Sequence, residues 1–399
     1  MSFKRPSLLA SLPLLAALVA GCVSVAPPRA SGPVVPTVPT TSPGPVAPPA
    51  KTEMLQPVSF KDLPGWGSDD VRESWSAFMA SCDVLIKRVD WKEPCSIARS
   101  VNARDVAAVR QFFEAFFVPH QVRNADGSDT GLVTGYYEPL LRGARKRGGV
   151  FQTALYRVPD DMLAVDLSGI YPELKAFRLR GRLQGSKVVP YLSRAELSKP
   201  GVLDGKELLW VDDPIDAFFM QVQGSGQVQL ADTGTTVRLA YADQNGHPYK
   251  SIGKYLVDRG ELTLDQASAQ SIKAWYVAHP ERRQELLNAN PSYVFFKEEA
   301  ITDSKKGPKG ALGVPLTANR SIAIDSAILP LGAPVYLSTT QPNSAVTLQR
   351  LMMAQDTGGA IKGAVRADYF WGFGSEAGEK AGRMKQRGML WVLLPKTAG

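Results

Sequence analysis

The chain has few of the residues that build metal centres. Its 399 residues include three histidines, His120, His247 and His279, which lie far apart in the sequence. There is no HExxH motif and no pair of CxxC motifs, so the donor spacings typical of zinc sites are missing. We expect no histidine-based metal site.

The pattern of a serine hydrolase is missing as well. The GxSxG elbow that carries a nucleophilic serine does not occur. Gly224-Ser225-Gly226 is the nearest sequence, and it lacks the required spacing. A Ser-His-Asp site is therefore not expected.

Long apolar segments are missing after residue 22, so we expect a soluble body. Lys4 and Arg5 precede an apolar run that is typical of a signal peptide, predicted here as residues 1–21. The run ends in Val19-Ala20-Gly21-Cys22, which is similar to a bacterial lipobox with Cys22 as the lipidated residue. An ordinary signal peptide cut nearby, with Cys22 incidental, is the alternative.

Residues 22–57 are predicted to form a lipidated, Pro-rich tether. Residues 26–50 are rich in Pro, Val, Thr and Ser, which cannot build a core and favour an extended chain. Val23 follows Cys22 where an Asp would favour retention at the inner membrane. Similarity to known sorting rules therefore predicts the outer membrane, with the body facing the periplasm.

Only two cysteines remain in the body, Cys82 and Cys95. An exported protein folds in an oxidising compartment, where these two residues could form a disulfide. Two buried thiols that never meet are the alternative.

Basic residues outnumber acidic ones, giving a formal net charge of +8 and a pI of about 9.3. Nucleic acid is one conventional partner for such a chain, but the export signal argues against it. An anionic polymer or an anionic lipid surface outside the cytoplasm fits better.

The pattern of the body changes from helical to strand-like after Pro119. Apolar periodicity predicts helices between Asp69 and Val118, with Pro119 as the stop. Helices are also predicted over Leu262–His279 and Arg282–Leu287. Strands are predicted at 131–138, 154–158, 207–211, 218–223, 227–230, 237–241, 351–354 and 389–394.

Short strands broken by Gly and Pro predict a small closed barrel for residues 58–140 and 297–399. Residues 141–296 are predicted to form an inserted β-domain. The first domain would then be discontinuous in sequence, with the ligand groove between the two domains.

The stretch Leu351–Gly374 carries two acids, Asp356 and Asp368. Gly358 and Gly359 permit a backbone path that a side chain would block. Tyr369-Phe370-Trp371 beside Asp368 suggests an aromatic groove and a partly desolvated carboxyl that can act as a general acid. A turn acid followed by core aromatics is the alternative.

A set of ordered motifs is similar to the membrane-bound lytic murein transglycosylase A family. The motifs are VTGYYEP (133–139), QVQGSG (221–226), GALGVPLT (310–317), RSIAID (320–325), LPLGAPVY (329–336), AQDTGGAIKG (354–363) and DYFWG (368–372). The resemblance implies a mainly β fold with some α, in which a double-psi β-barrel domain is joined by a smaller β-domain.

The resemblance also implies the reaction and its residues. The family cleaves the bond between N-acetylmuramic acid and N-acetylglucosamine without water, leaving a 1,6-anhydromuramyl end. The resemblance implies that no metal and no cofactor is needed. Asp368 would be the acid and base and Asp356 the second groove acid. The remaining substrate-binding candidates are Thr134, Gly135, Tyr137, Gln223, Ser225, Ala323, Gly358 and Gly359.

The resemblance places Arg366-Ala367 where some members of the family have His-Phe before the acid. This departure removes one neighbour that could tune the pKa of Asp368. The expected partners are the glycan strands of peptidoglycan and the outer membrane, with peptidoglycan synthases as a further candidate and no nucleic acid.

Two other functions remain open from the sequence. An inverting hydrolase on the same barrel would use Asp356 and Asp368 as a pair of carboxylates. A non-catalytic lipoprotein that binds the cell wall would not need Asp368 for any chemistry.

Overall fold

The computed structural model describes residues 54–301, 303 and 306–396. The predicted signal peptide, Cys22 and most of the predicted tether lie outside the described residues. The last residues assigned to that tether, Leu55–Pro57, form a strand. Within the described ranges, no helix has both the length and the apolar character needed to cross a membrane.

The described part of the chain is mainly β with some α, as the sequence predicts. Its α-helices are α1 (Trp75–Leu85), α2 (Val89–Ala98), α3 (Val106–Phe116), α4 (Arg194–Leu197), α5 (Pro214–Gln223), α6 (Ile252–Asp258), α7 (Ala269–Ala278), α8 (Arg283–Asn288) and α9 (Gly374–Arg383). Short 3-10 turns occur at Phe60–Asp62, Trp66–Ser68, Val71–Ser74, Pro172–Ala176 and Pro280–Arg282.

The strands divide among three sheets. They are β1 (Leu55–Pro57), β2 (Phe117–Val122), β3 (Gly131–Glu138), β4 (Leu140–Ala144), β5 (Thr153–Tyr156), β6 (Leu163–Ala164), β7 (Arg180–Gln184), β8 (Lys187–Pro190), β9 (Glu207–Val211), β10 (Gly226–Leu230), β11 (Thr236–Gln244), β12 (Val294–Glu299), β13 (Ser321–Ile324), β14 (Pro334–Thr340), β15 (Thr347–Asp356), β16 (Arg366–Phe373) and β17 (Lys385–Pro395).

The largest sheet closes on itself. Its order is β1-β2-β17-β14-β15-β13-β16-β3, and β3 also pairs with β17. Six strands therefore form a ring, and β2 and β1 extend it from β17. The ring includes two parallel pairs, β13 with β15 and β16 with β3.

The core of this ring is continuous with the N-terminal helices. Phe78, Phe112, Phe113 and Phe117 are buried together, and their rings pack in tilted or edge-on contacts at centroid distances of 5.1 to 6.1 Å. Full burial of such a side chain contributes about 1.5–3 kcal/mol to folding. The helical aromatics are therefore core residues that fasten the helices to the barrel.

A disulfide joins α1 to α2 through Cys82 and Cys95, whose Cα atoms are 5.3 Å apart. The pairing that the sequence left open is thus present in the structure. It closes a loop of 13 residues, in a range where such a cross-link is typically worth about 3 kcal/mol.

The helix α3 ends earlier than the sequence predicts. Its last residue is Phe116, and β2 begins at Phe117. Pro119 lies inside β2, paired with Leu393 of β17. The break comes from the change to a strand, and Pro119 is not itself the stop.

The second sheet has the order β12-β11-β10-β4-β9-β5, and the third has the order β6-β7-β8. A strand predicted over 218–223 is wrong, because those residues belong to α5. Asp213 caps this helix by accepting from the backbone N–H of Ile215, and Pro214 occupies the first turn. Both signals favour a helix start and outweigh the strand-like alternation.

Two buried ion pairs link distant segments. Arg320, just before β13, pairs with Asp69 at 2.9 Å near the N-terminal helices. Glu138 at the end of β3 pairs with Arg238 of β11 at 2.6 Å. The second pair ties the barrel to the six-stranded sheet.

Candidate active site

Four neighbouring strands place the candidate residues in one row. Ala323 of β13 pairs with Asp356 of β15 on one side and with Asp368 of β16 on the other. Asp368 pairs in turn with Thr134 of β3. Adjacent strands are about 4.8 Å apart, so the backbones of the two acids are separated by about 10 Å.

Asp368 is half-buried, and its Oδ1 accepts a hydrogen bond of 2.6 Å from the Thr134 hydroxyl. Burial raises the pKa of Asp368 to about 6. The Thr134 hydrogen bond and the charge of Arg366 lower this pKa, and the charge of Asp356 raises it. The carboxyl can therefore hold a proton near neutral pH and release it, as a general acid must.

Asp356 is held by three donors. Its Oδ1 accepts from the backbone N–H groups of Ala311 and Thr357, both at 2.9 Å, and its Oδ2 accepts from the Tyr136 hydroxyl at 3.1 Å. Burial raises the pKa of Asp356, and these donors offset part of the rise. This carboxyl has a fixed position and an acceptor role.

Tyr136 is a site residue that the sequence reasoning missed. Burial and the charges of both acids raise the pKa of its hydroxyl well above its usual value, so the hydroxyl stays protonated and donates. The signal was available, because the alternation of β3 already places Thr134 and Tyr136 on the same face.

Arg366 also belongs to the site. Its Nη2 donates to the Thr134 hydroxyl at 2.9 Å, and its Nη1 donates to the carbonyl oxygen of Ala367 at 2.5 Å. Thr134 thus accepts from Arg366 and donates to Asp368. The departure at this position, expected only to remove a neighbour, instead supplies a cation that lowers the pKa of Asp368.

An apolar cluster borders the acids. Its buried members are Tyr136, Leu316, Ala323, Ile361 and Phe370. The rings of Tyr136 and Phe370 lie 5.1 Å apart. This cluster excludes water from one side of the row, which explains why burial is the largest influence on both carboxyl pKa values.

The aromatic triplet is core and does not line an open groove. Tyr369 and Phe370 are almost completely buried and Trp371 is buried. Tyr369 and Trp371 belong to the main barrel core. The core alternative stated for this triplet is therefore confirmed, and only Phe370 packs beside the acids.

Gly135 and Tyr137 lie on the face of β3 opposite to Thr134. A Cβ on Gly135 would lie 2.6 Å from Nε1 of Trp371, and the Tyr137 ring packs against Gly378 of α9. Their side-chain positions therefore face α9 and not the two acids.

The other substrate-binding candidates named from the sequence make no hydrogen bond to either acid in the described residues. Gln223, at the end of α5, accepts from the backbone N–H of Tyr137 at 3.1 Å. Ser225 is buried between α5 and β10. Gly358 and Gly359 follow Asp356 after one residue, Thr357. Ile361 packs over Gly358, and Gly359 is exposed.

Within the described residues, no group of three or more His, Cys, Asp or Glu side chains is arranged to hold a metal ion. The row offers one carboxyl suited to proton transfer and a second carboxyl fixed by donors.

The sequence matches two family models. Residues 132–297 match the MltA specific insert domain, and residues 320–394 match the 3D domain. The first range contains Thr134 and Tyr136, and the second contains Ala323, Asp356 and Asp368.

Relatives match most of the chain. It is 37% identical over 285 residues to the membrane-bound lytic murein transglycosylase A of Escherichia coli strain K12, covering 70% of this chain and 69% of that protein. The crystal structure of MltA from Neisseria gonorrhoeae, monoclinic form, matches with a TM-score of 0.74 and 40% identity, covering 86% of this chain and 93% of that one. The crystal structure of Escherichia coli MltA with bound chitohexaose matches with a TM-score of 0.65 and 30% identity, covering 87% and 96%. The chain belongs to the membrane-bound lytic murein transglycosylase A family.

Proposed function

We propose that this protein is a lytic transglycosylase that cleaves the N-acetylmuramic acid to N-acetylglucosamine bond of peptidoglycan. Its family membership supports the activity, and the relative with bound chitohexaose supports a glycan ligand. The observation that carries the proposal is Asp368. It is a half-buried carboxyl with a pKa of about 6, in one row with a second, fixed carboxyl.

A single acid is sufficient for this reaction. Protonated Asp368 gives its proton to the glycosidic oxygen as the bond from C1 to that oxygen breaks. The C6 hydroxyl of the same muramic acid then bonds to C1, and its proton returns to the Asp368 carboxylate. Asp368 is therefore protonated again at the end of the reaction, and no water is consumed.

The internal nucleophile explains why a second catalytic carboxylate is not needed. Ordinary glycosidases need one carboxyl to protonate the leaving oxygen and another to attack or to activate water. A hydroxyl held next to C1 acts at a high effective concentration, worth up to about 7–11 kcal/mol.

The neighbours of Asp368 have separate roles in this proposal. The charge of Asp356 favours the protonated form of Asp368 before the transfer. The Thr134 hydroxyl, oriented by Arg366, stabilises the carboxylate that forms afterwards. The small side chain of Ala323 leaves space between the two acids.

We further propose that substrate is bound by Gly358 and Gly359 through the backbone beside Asp356, and by Gln223 and Ser225 from the α5 end. Gly135 and Tyr137 support the substrate-binding strand β3 by packing its other face against Trp371 and α9. The proximity of these segments to β3 and β15 supports this assignment.

The ring of six strands supports a double-psi β-barrel, which we propose as the detailed topology. We propose residues 58–140 and 297–399 as the barrel domain and residues 141–296 as the insert, with the groove between them. The separate sheets formed by β4 to β12 support this division.

The relatives are named membrane-bound, and we propose that this chain is held at the outer membrane by a lipid on Cys22. Peptidoglycan synthases are proposed partners there. Labelling with a radioactive fatty acid tests the anchor. The Cys22→Ser variant should not incorporate the label and should no longer be recovered with the membranes. Retention of the label would contradict it.

Heavy-oxygen water tests the reaction. A transglycosylase digest should carry no oxygen from water at the new sugar end, because the C6 hydroxyl closes the ring. An inverting hydrolase would incorporate one heavy oxygen per cut. The backbones of the two acids are about 10 Å apart. Their carboxyl groups could therefore have the separation of about 6.5–9.5 Å that an inverting hydrolase requires, and this is why the second candidate is tested.

A further inference from the structure

A cavity of about 360 Å³ lies away from the row of acids, between β5, α4, α5 and α8. None of its lining residues belongs to the row. Its volume falls within the range of small-ligand sites, about 300–1,000 Å³. The lining residues that matter here are Tyr156, Arg194, Lys199, Phe218, Gln221 and Tyr293.

Arg194 is the unusual member of this lining, because 95% of the residue is buried while its guanidinium carries a full charge. The rings of Phe218 and Tyr293 lie 4.7 and 4.8 Å from the guanidinium carbon. Burial lowers the pKa of Arg194 to about 10, which still leaves it charged at neutral pH.

The partners of this guanidinium are neutral. Nε donates to the carbonyl oxygen of Asn290 at 3.0 Å, and Nη2 donates to Gln221 and to the carbonyl oxygen of Ser292 at 2.7 and 2.6 Å. Among the described residues, no carboxylate oxygen lies within ion-pair distance of Arg194. Elsewhere in the described residues the pattern differs, since buried Arg238 and Arg320 each pair with a carboxylate.

A buried charge without a counter-charge is costly. The hydrogen bonds above use Nε and both hydrogens of Nη2, so Nη1 is the nitrogen that can donate a charge-assisted hydrogen bond to a carboxylate. Lys199, exposed at the rim, adds a second cation, while Asp204 is the one acid in the lining and is also exposed. Of the charged groups that line the cavity, the buried one is positive.

We propose that this cavity binds the carboxylate of a short peptide through Arg194, with Lys199 assisting at the rim. The neighbouring aromatic rings and the Gln221 amide suit a compact chain of two or three residues. The choice of a peptide rests on the proposed function, because the peptide stems of peptidoglycan carry free carboxylates.

The position of α5 connects this cavity to the active site. Pro214, Ala217, Phe218 and Gln221 of α5 line the cavity. Gln223, at the end of the same helix, accepts from the Tyr137 backbone in β3, the strand that carries Thr134. A stem held in the cavity would thus be held by an element that contacts the catalytic barrel.

Calorimetric titration of the full chain tests the site directly. The probe is N-acetyl-D-alanyl-D-alanine, and its C-terminal amide is the matched uncharged probe. We expect the acid to bind at least about tenfold more tightly than the amide. Equal affinities, or no binding of the acid, would overturn the proposal whether or not the protein cleaves glycan.

The affinity of the acid probe for substituted proteins tests whether binding takes place in this cavity. Arg194→Gln should weaken the acid at least about tenfold. Because that change could unfold the chain, Lys199→Glu at the exposed rim serves as the second variant and should weaken the acid about threefold or more. Lys187→Glu makes the same charge change on β8, outside the cavity, and should leave the affinity unchanged. Identical effects of the two lysine variants would contradict the assigned position.

Glycan digests separate the two sources of the peptide. If the stem attached to the strand is bound, Lys199→Glu raises KM on peptide-bearing strands and leaves kcat and peptide-free strands unaffected. If a released peptide is bound, KM is unchanged on both substrates while the titration still shows the acid-selective site.

Discussion

At the scale of single residues, the site depends on how Asp368 is balanced between two protonation states. The apolar cluster around Phe370 and the charge of Asp356 favour the protonated carboxyl, while Thr134 and Arg366 favour the carboxylate. Proton donation is followed by proton recovery in the proposed reaction, so both states must be accessible.

The pH dependence of the activity should show this balance. Asp368 donates only when protonated, so kcat/KM should fall as the pH rises through about 6. Arg366→Ala removes a charge that lowers this pKa and should move the falling limb about one unit to higher pH. Arg366→Lys keeps the charge and should move it less. Rates of peptidoglycan solubilisation across pH measure the limb, and a shift to lower pH would contradict the role of Arg366.

The same carboxyl should cost stability at neutral pH. The pKa of Asp368 is raised in the folded state from about 3.9 to about 6. The folded chain therefore holds its proton more tightly, and this contribution to stability is lost as the pH rises between those values. Asp368→Asn removes the titrating group and should be more stable than wild type at pH 8 by roughly 1–3 kcal/mol.

Urea unfolding at two pH values measures this difference. The advantage of Asp368→Asn should shrink at pH 4, where the wild-type carboxyl is protonated in the folded chain and about half protonated in the unfolded one. An advantage of the same size at both pH values would show that burial of the charge is not its cause.

At the scale of elements, the two faces of β3 have different contacts. Its Thr134 and Tyr136 side chains reach the two acids, and its opposite face packs against Trp371 and α9. The strand can hold these two hydroxyls beside the acids because its other face is closely packed.

Gly135 should show that packing role. A Cβ at this position would lie 2.6 Å from Nε1 of Trp371 and 2.9 Å from the Cα of Ala381. We expect Gly135→Ala to destabilise the fold by about 1–3 kcal/mol through overpacking. Gly148→Ala, where a Cβ would meet nothing within 4 Å, is the matched control. Thermal unfolding measures both, and equal small effects would contradict the close packing of this face.

The sequence predicts some elements well, and the reasons differ from one element to another. The strands at 207–211 and 227–230 are short, apolar and bounded by turns, and β9 and β10 match them closely. The segment 218–223 has an alternation typical of a strand, yet the capping residue Asp213 and Pro214 start a helix upstream of it. Here the side-chain periodicity alone did not distinguish a strand from a helix, and the capping residue at the start of α5 favoured the helix.

The candidate site was predictable only in part. Asp356, Asp368, Thr134 and Ala323 were named from motifs, and the structure places them in register on neighbouring strands. The contacts of Tyr136 and Arg366 depend on which strands become neighbours. The sequence does not specify that a residue of β3 will meet residues 220 to 234 positions away.

At the scale of the whole molecule, one buried ion pair joins two separate sheets. Glu138 accepts two hydrogen bonds from Arg238, at 2.6 and 2.9 Å, and one from Gln227 at 2.9 Å. Glu138 extends the strand that carries Thr134, so this pair fixes the barrel strand against the six-stranded sheet.

Breaking this pair should cost far more than breaking an exposed one. Glu138→Gln leaves the buried Arg238 without a counter-charge, and we expect a loss of about 3–5 kcal/mol. Asp258→Asn breaks the exposed pair with Lys254 and should cost about 0.5 kcal/mol or less. Urea unfolding compares the two, and equal losses would contradict a linking role for Glu138.

In the proposed reaction, Asp368 alone carries the proton for water-free cleavage. This role is tested by the mass of the fragments that the full chain releases from purified peptidoglycan, for wild type, Asp368→Asn and Asp356→Asn. We predict that wild type releases fragments one water lighter than hydrolysis products. Asp368→Asn should release them at least about a hundredfold more slowly, and Asp356→Asn should make the same light fragments at a reduced rate. Light fragments released by Asp368→Asn at the wild-type rate, or hydrated fragments from wild type, would contradict the claim.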